Sequence, residues 1–162
     1  MTNALPDIIA PHLAVVFCGI NPGMLAAATG HHFAGRGNRF WRVIHRAGFT
    51  PDEISPENAR QILNHRCGLT TVVERPTARA EELTSDDFES AVEQIELLRE
   101  RHPKARIAVV ADHYRLDEMV SAFRAGASGY FIDVMTCDVF VKSIELVMMG
   151  ETIFPPAFLS FV

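Results

Sequence analysis

At 162 residues, 48% hydrophobic and 22% charged, the chain is long enough for one domain with a real core, and no apolar run reaches the roughly 18–20 residues a membrane helix needs. Its net charge of −5 speaks against a uniformly basic nucleic-acid binder, and its three cysteines (Cys18, Cys67, Cys137) are far apart with no CxxC pair, which argues against a zinc site or a disulfide framework. No basic stretch followed by an apolar core opens the chain, so no signal peptide is expected; the scattered cysteines fit a reducing cytoplasm, and no membrane contact, metal or cofactor is expected.

In chain order, "HLAVVFCG" reads as a buried strand ending at Gly19. A small-residue loop follows through "GHHFAGRG". Asn38 then caps a helix to about Ala47, stopped by Gly48, with Phe40, Trp41 and Ile44 as its core face. "SPEN" opens the next helix, with Ser55 as cap and Pro56 in the first turn, and Cys67-Gly68 closes it. "LTTVV" is a second strand. Thr84 and Asp87 form a capping box for a helix carrying Phe88, Val92, Ile95 and Leu98, with Pro103 beyond its end. "RIAVVA" (strand), "LDEMVSAFRAG" (helix), "GYFIDV" (strand) and "CDVFVKSIELVMMG" (helix, capped by Thr136) continue the alternation, and "ETIFPPAFLSFV" is a proline-interrupted apolar tail.

Four buried strands alternating with helices predict an α/β fold. The expectation is a doubly wound three-layer sandwich around a central, mostly parallel four-stranded sheet. No repeat, low-complexity linker or domain break interrupts residues 1–162, which read as a single domain.

Charge is divided unevenly along that domain. Residues 1–80 carry eight arginines against five acids, whereas residues 81–162 carry seven basic residues against fifteen acids. The sharpest basic stretch is "RGNRFWRVIHR", with Arg36, Arg39, Arg42 and Arg46, no acid, and aromatics interleaved.

In open α/β sheets ligands bind beyond the carboxyl ends of strands, where "GINPG" falls. It is neither a Walker loop nor a GxGxxG fingerprint. Read as backbone alone it is a tight turn shaped by Pro22 and Gly23. Read as chemistry, it delivers Asn21, whose amide oxygen can accept a hydrogen bond from water and orient it without acting as a strong base. That suits N-glycosidic cleavage, which passes through an oxocarbenium-like sugar and needs only a weak nucleophile. Backbone N–H groups of the turn can meet the charge on the departing base.

"VVFCGINPG", "TGHHFAGRGNRFW", "AGFT" and "RCGLTTVVERPTARAEEL", in this order over residues 10–83, together resemble the mismatch-specific uracil/thymine-DNA glycosylase family. The resemblance implies that Asn21 positions the attacking water. It implies that Gly19, Ile20, Pro22 and Gly23, with Phe33, form the pocket for a flipped-out uracil or thymine, and that Asn38 belongs to its wall. It further implies that His31 and His32 face DNA, with Arg36 and Arg39 at phosphates. The partner is then double-stranded DNA with a mismatched uracil or thymine. The two histidines read as loop residues rather than metal ligands.

The stretches "AFRAGASGY" and "KSIELVMMGETIFPP" make residues 93–162 resemble the C-terminal half of a response-regulator receiver domain instead. The receiver's phosphoryl chemistry is missing. "LTTVVER" ends without the acceptor Asp, "CGINPG" stands where an acidic cluster should, Ala111 replaces the hydroxyl and Asp133 the lysine. Asp112 and Asp133 are read as non-catalytic and Lys142 as a surface residue. Also absent is the later Asn-Pro-Ser-Gly-like loop with which glycosylase members push into the duplex. The simplest expectation is a recombinant chain, glycosylase-like over residues 1–88 and receiver-like over 89–162. Its expected function is metal-free hydrolysis of uracil or thymine from G·U or G·T pairs, weakened or lost for want of that loop. The alternative is a non-catalytic α/β scaffold. The tail "IFPPAFLSFV" packs on the sheet or supports a homodimer.

Overall fold

The computed structural model describes residues 5–35, 37–73, 75–77, 82–111, 116–132 and 136–154. Four strands, β1 (Val15–Gly19), β2 (Cys67–Thr71), β3 (Arg106–Ala111) and β4 (Gly129–Ile132), form one sheet in the order β2-β1-β3-β4, every pair parallel. Five α-helices are described: α1 (Met24–Thr29), α2 (Phe40–Arg46), α3 (Ser85–Arg101), α4 (Leu116–Ala125) and α5 (Cys137–Met148). The fold is the expected doubly wound three-layer α/β sandwich.

Strand periodicity explains the layers, because successive side chains point to opposite faces. Val16 and Cys18 of β1, with Ile107 and Val109 of β3, pack beneath Ala91 and Ile95 of α3 and Met119 and Ala122 of α4. Val15 and Phe17 of β1, with Leu69 of β2 and Phe131 of β4, pack against Phe40, Trp41 and Ile44 of α2 and Phe140 and Ile144 of α5. Phe40, Trp41 and Ile44 are thus core residues. The chain passes from β1 outward to β2, then returns to β3 on β1's other side, so the order reverses at the carboxyl ends of β1 and β3.

Local signals account for most helix ends. Thr84 Oγ1 accepts from the Asp87 N–H while the Asp87 carboxylate accepts from the Thr84 N–H, completing the predicted capping box. Thr136 Oγ1 accepts from the Val139 N–H, whereas Asn38, expected to cap α2, stands one residue before its N-cap Arg39, its Oδ1 accepting from the Phe40 N–H at 2.9 Å. Other expectations need adjustment, among them Ser55, which stands at the N-cap position but makes no side-chain cap hydrogen bond. The small-residue loop after β1 contains the short helix α1. The segment after Ser55 is a kinked 3-10 helix, Pro56–His65, ended by Arg66 in the left-handed region at φ 60° rather than by Cys67-Gly68. Those two residues begin β2, where Gly68 is required because a Cβ would meet Leu13 Cδ1 at 2.7 Å and the Ile8 carbonyl at 3.1 Å.

That close approach comes from residues 5–14, which run past β2's outer edge. Ile8 and Leu69 exchange both backbone hydrogen bonds as an antiparallel bridge (2.8 and 2.9 Å). At the opposite edge Ile153 bridges Gly129 of β4, its N–H donating to the Ser128 carbonyl. The rest of the tail, residues 155–162, lies outside the described residues, as do Arg36, Asp112 and Asp133. Among the described residues no helix is long and apolar enough to cross a membrane, and no cluster of His, Cys, Asp or Glu could hold a metal ion.

Candidate active site

A cavity of about 270 Å³ opens where the strand order reverses, floored by Gly19 of β1, Thr71 of β2 and Val110 and Ala111 of β3. Residues 19–23 form its lip. Their backbone is tied to the segment after β2: the Val72 N–H donates to the Gly19 carbonyl (3.0 Å) and the Val73 N–H to the Ile20 carbonyl (2.8 Å). Immediately after these anchors Asn21 enters the cavity wall. Its amide Nδ2 donates to the Arg75 carbonyl at 3.0 Å and to Thr77 Oγ1 at 2.8 Å. A carbonyl can only accept, so the NH₂ group must face residues 75–77 and Oδ1 must face away from them. No donor among the described residues reaches Oδ1.

The clamp on Asn21 is itself braced. Arg75 Nη2 reaches Asp87 Oδ2 at 2.7 Å and the Glu82 carbonyl at 2.8 Å. Asp87 is the third residue of α3 and Thr84's partner in its capping box, so the first turn of that helix holds the carbonyl that holds Asn21. The Arg75 guanidinium, helped by the Thr84 N–H and hydroxyl, holds the Asp87 carboxyl down at about 2. A depressed carboxylate contributes stability present above the unfolded value near ~4 and lost as pH falls towards 2. Asp87→Asn is therefore expected to lower Tm above about pH 4, and its curve and the wild-type curve should converge at lower pH. A pH-independent gap in a calorimetric series would rule this ion pair out as the cause.

Phe33 forms the opposite wall. Its ring stacks on Phe40 (centroids 4.1 Å apart, planes at 24°), and its Cζ lies 3.8 Å from the position a Cβ on Gly19 would take. Its backbone is left-handed, at φ 52°, which costs a bulky residue on the order of 1–3 kcal/mol. Neighbours hold it there: Trp41 Nε1 donates to the His32 carbonyl, and His32 Nε2, 2.7 Å from the Pro6 carbonyl, is the protonated ring nitrogen because that carbonyl only accepts. Burial holds the His32 pKa below its ordinary value, so the ring is neutral at neutral pH.

The other expected site residues are distributed as follows. Ile20, Pro22 and Gly23 line the cavity with Gly19 and Asn21. Asn38 lines it too, its Oδ1 occupied by the Phe40 N–H and its Nδ2 remaining as a donor. His32 is buried in the wall rather than exposed, and His31 is half-exposed beside it. Arg39 is half-buried at the neighbouring groove lined by Phe33, Asn38 and Phe140. On α2, Arg42 lies 3.7 Å from Glu53 and Arg46 lies 2.7 Å from Asp138, so acids distant in sequence temper the basic stretch. Burial pushes both Cys18 and Cys67 up, Cys67 to about 12, so neither offers a thiolate.

Sequence reasoning missed Glu118. It lies on α4, is only 7% exposed, accepts from the Tyr130 hydroxyl at 3.0 Å, and lines the cavity. The available signal was helical phase: positions 118, 122 and 125 share a stripe, and the other two are core alanines.

With this geometry established, three likenesses bear on it. The chain aligns over 89% of its length with the solution structure of a candidate uracil DNA glycosylase from Methanosarcina acetivorans, covering 96% of that chain at 16% identity and a TM-score of 0.61. It aligns over 93% of its length with the isolated REC domain of RcsB from Salmonella enterica serovar Typhimurium, covering 99% of that chain at 11% identity and a TM-score of 0.53. At such identities both establish the fold alone. The third is a family model, Uracil DNA glycosylase superfamily, which matches residues 6–133. It runs past Leu83, the end of the sequence resemblance, and on through β3, α4 and β4. Turn, aromatic wall and reversed strand order thus fall within one continuous match, and the chain belongs to the uracil DNA glycosylase superfamily.

Proposed function

We propose that the protein is a monofunctional DNA glycosylase that removes uracil or thymine from G·U and G·T pairs in double-stranded DNA. The orientation of Asn21 carries this reading: its NH₂ is committed to the Arg75 carbonyl and Thr77, which leaves Oδ1 as an acceptor at the cavity wall. A base inside a duplex is out of reach, so the target nucleotide must leave the stack and enter the cavity. There Phe33 offers a stacking face and Asn38 Nδ2 a donor for a base carbonyl. As the C1′–N1 bond breaks, its electron pair leaves with the base and positive charge spreads over C1′ and the ring oxygen. Water held by Asn21 Oδ1 adds to C1′ and sheds its proton to solvent, giving an abasic site and the free base.

His31, Arg36 and Arg39 belong to the same reading as groups near DNA, Arg36 and Arg39 at phosphates, where binding would weaken with salt, whereas His32 serves as a buried residue of the cavity wall. Receiver-type ancestry for residues 89–162, joined to a glycosylase-type 1–88, also remains part of it. The fold shared with a receiver domain is compatible with that ancestry. A single-turnover assay tests the function: a labelled duplex with one U·G pair, at low salt, treated with alkali to reveal abasic sites. Strand scission dependent on the protein supports the reading, and none from a folded sample opposes it. A T·G duplex run alongside reports the second base.

A further inference from the structure

We infer that Met24 and Leu25 of α1 are the wedge that enters the base stack when the target nucleotide leaves it, an inference that rests on the glycosylase reading above. α1 turns Ala26 into the core, while Met24 and Leu25 stay 56% and 51% exposed. A single exposed apolar side chain is ordinary; two adjacent ones at the mouth of a cavity mark a contact surface. Both line the 270 Å³ cavity, just beyond the turn that carries Asn21. Val139, Leu146, Met149 and Phe154, the other large apolar side chains exposed among the described residues, do not line it. The exposed apolar pair thus sits where a base must enter.

Base extrusion gives that pair an occupant. A nucleotide that leaves a duplex loses its stacking with two neighbours and opens a gap in the helix. An apolar side chain in the gap restores part of the lost contact and sheds its own exposure to water, so both costs fall together. With the target base in the cavity, its former neighbours lie at the mouth, against α1. The surroundings suit a polyanion. Between Asp7 and Asp52 the chain carries no acid, so nothing in the span that forms the turn, α1 and the Phe33 wall repels phosphates. Gly23 and Gly35 line the same mouth. Neither has a left-handed backbone, and a Cβ on either would meet no atom of the described residues within 4 Å. Neither conformation nor packing therefore calls for glycine there, and the bare backbone leaves room for a strand from outside. The sequence has no later Asn-Pro-Ser-Gly-like loop to fill the gap instead.

The test is binding, measured by competition with an uncleavable target, 2′-fluoro-2′-deoxyuridine. One duplex places it opposite guanine. A second places it opposite a pyrene nucleotide, whose large ring fills the stack from the other strand and holds the uracil out. Met24→Ala/Leu25→Ala is expected to bind the first duplex roughly tenfold more weakly than the wild type, or worse, and to recover most of that loss on the second. Both side chains are exposed, so truncation leaves the core intact. Met24→Leu/Leu25→Met keeps the apolar volume and should bind both duplexes as the wild type does. Equal losses on the two duplexes would make the side chains part of the base pocket and overturn the wedge. An alanine variant that binds the first duplex like the wild type also overturns it, and leaves the role of Asn21 untouched. Sedimentation covers the rival occupant: a wild-type dimer that the alanine variant dissociates assigns the pair to a second copy of the chain and overturns the inference. If the wild type holds neither duplex more tightly than a matched one, the glycosylase reading fails and takes the inference with it.

Discussion

Asn21→Ala is expected to slow single-turnover cleavage of a U·G duplex by roughly 100-fold or more, equivalent to about 2.7 kcal/mol of transition-state stabilisation, with little change in duplex affinity. The size follows from what is removed. Oδ1 is the acceptor left on a side chain whose donors are committed to the Arg75 carbonyl and Thr77, so its direction is fixed before substrate arrives. Fold should not suffer, because the turn is held by backbone bonds from Val72 and Val73. Asn21→Asp is not a simple gain of a stronger base. A carboxylate cannot donate to the Arg75 carbonyl, and two acceptors at 3.0 Å would repel and turn the group out of position. An Asn21→Ala rate equal to wild type would refute the water-positioning role.

Phe40→Ala is expected to cost about 3–5 kcal/mol of folding stability, measured by denaturant unfolding. Phe40 is buried between three aromatic rings, Phe17 at 5.1 Å, Trp41 at 5.1 Å and Phe33 at 4.1 Å. Truncation leaves a cavity that a layer between helix and sheet cannot close. The loss also reaches the site. Phe33 occupies a strained backbone conformation, and the ring beneath it is what opposes relaxation. Cleavage by Phe40→Ala should therefore fall even at temperatures where the variant is fully folded. A stability loss below about 1 kcal/mol would show that the neighbours repack and the ring is no keystone.

Much of this architecture is legible because local chemistry and global packing agree. β1 is an unbroken apolar run because both its faces are covered, and α3 carries its cap and its apolar spacing within adjacent residues. What stays hidden depends on encounters across the chain. Gly68 looks like a helix stop until residues 5–14 are seen to lie against it. Arg46 looks like one more member of a basic stretch without acids until Asp138, 92 positions away, is found beside it. Glu118 looks like an ordinary surface acid in a first helical turn, and only the placement of α4 over the strand ends makes it part of a cavity. The Asn21 turn was readable as a motif, whereas the direction of its amide was not, since that depends on the Arg75 backbone 54 residues on.

The two bridges at the margins of the sheet also bear on solubility. A four-stranded parallel sheet ends in two rows of unpaired backbone groups, each a template on which another molecule's strand can grow. Here Ile8 occupies part of the β2 row and Ile153 part of the β4 row. Each isoleucine fills hydrogen-bonding positions that a passing strand would otherwise take. The segments flanking the fold thus act as guards against sheet-to-sheet polymerisation, and a chain trimmed at either flank would be more inclined to form fibres before losing its core.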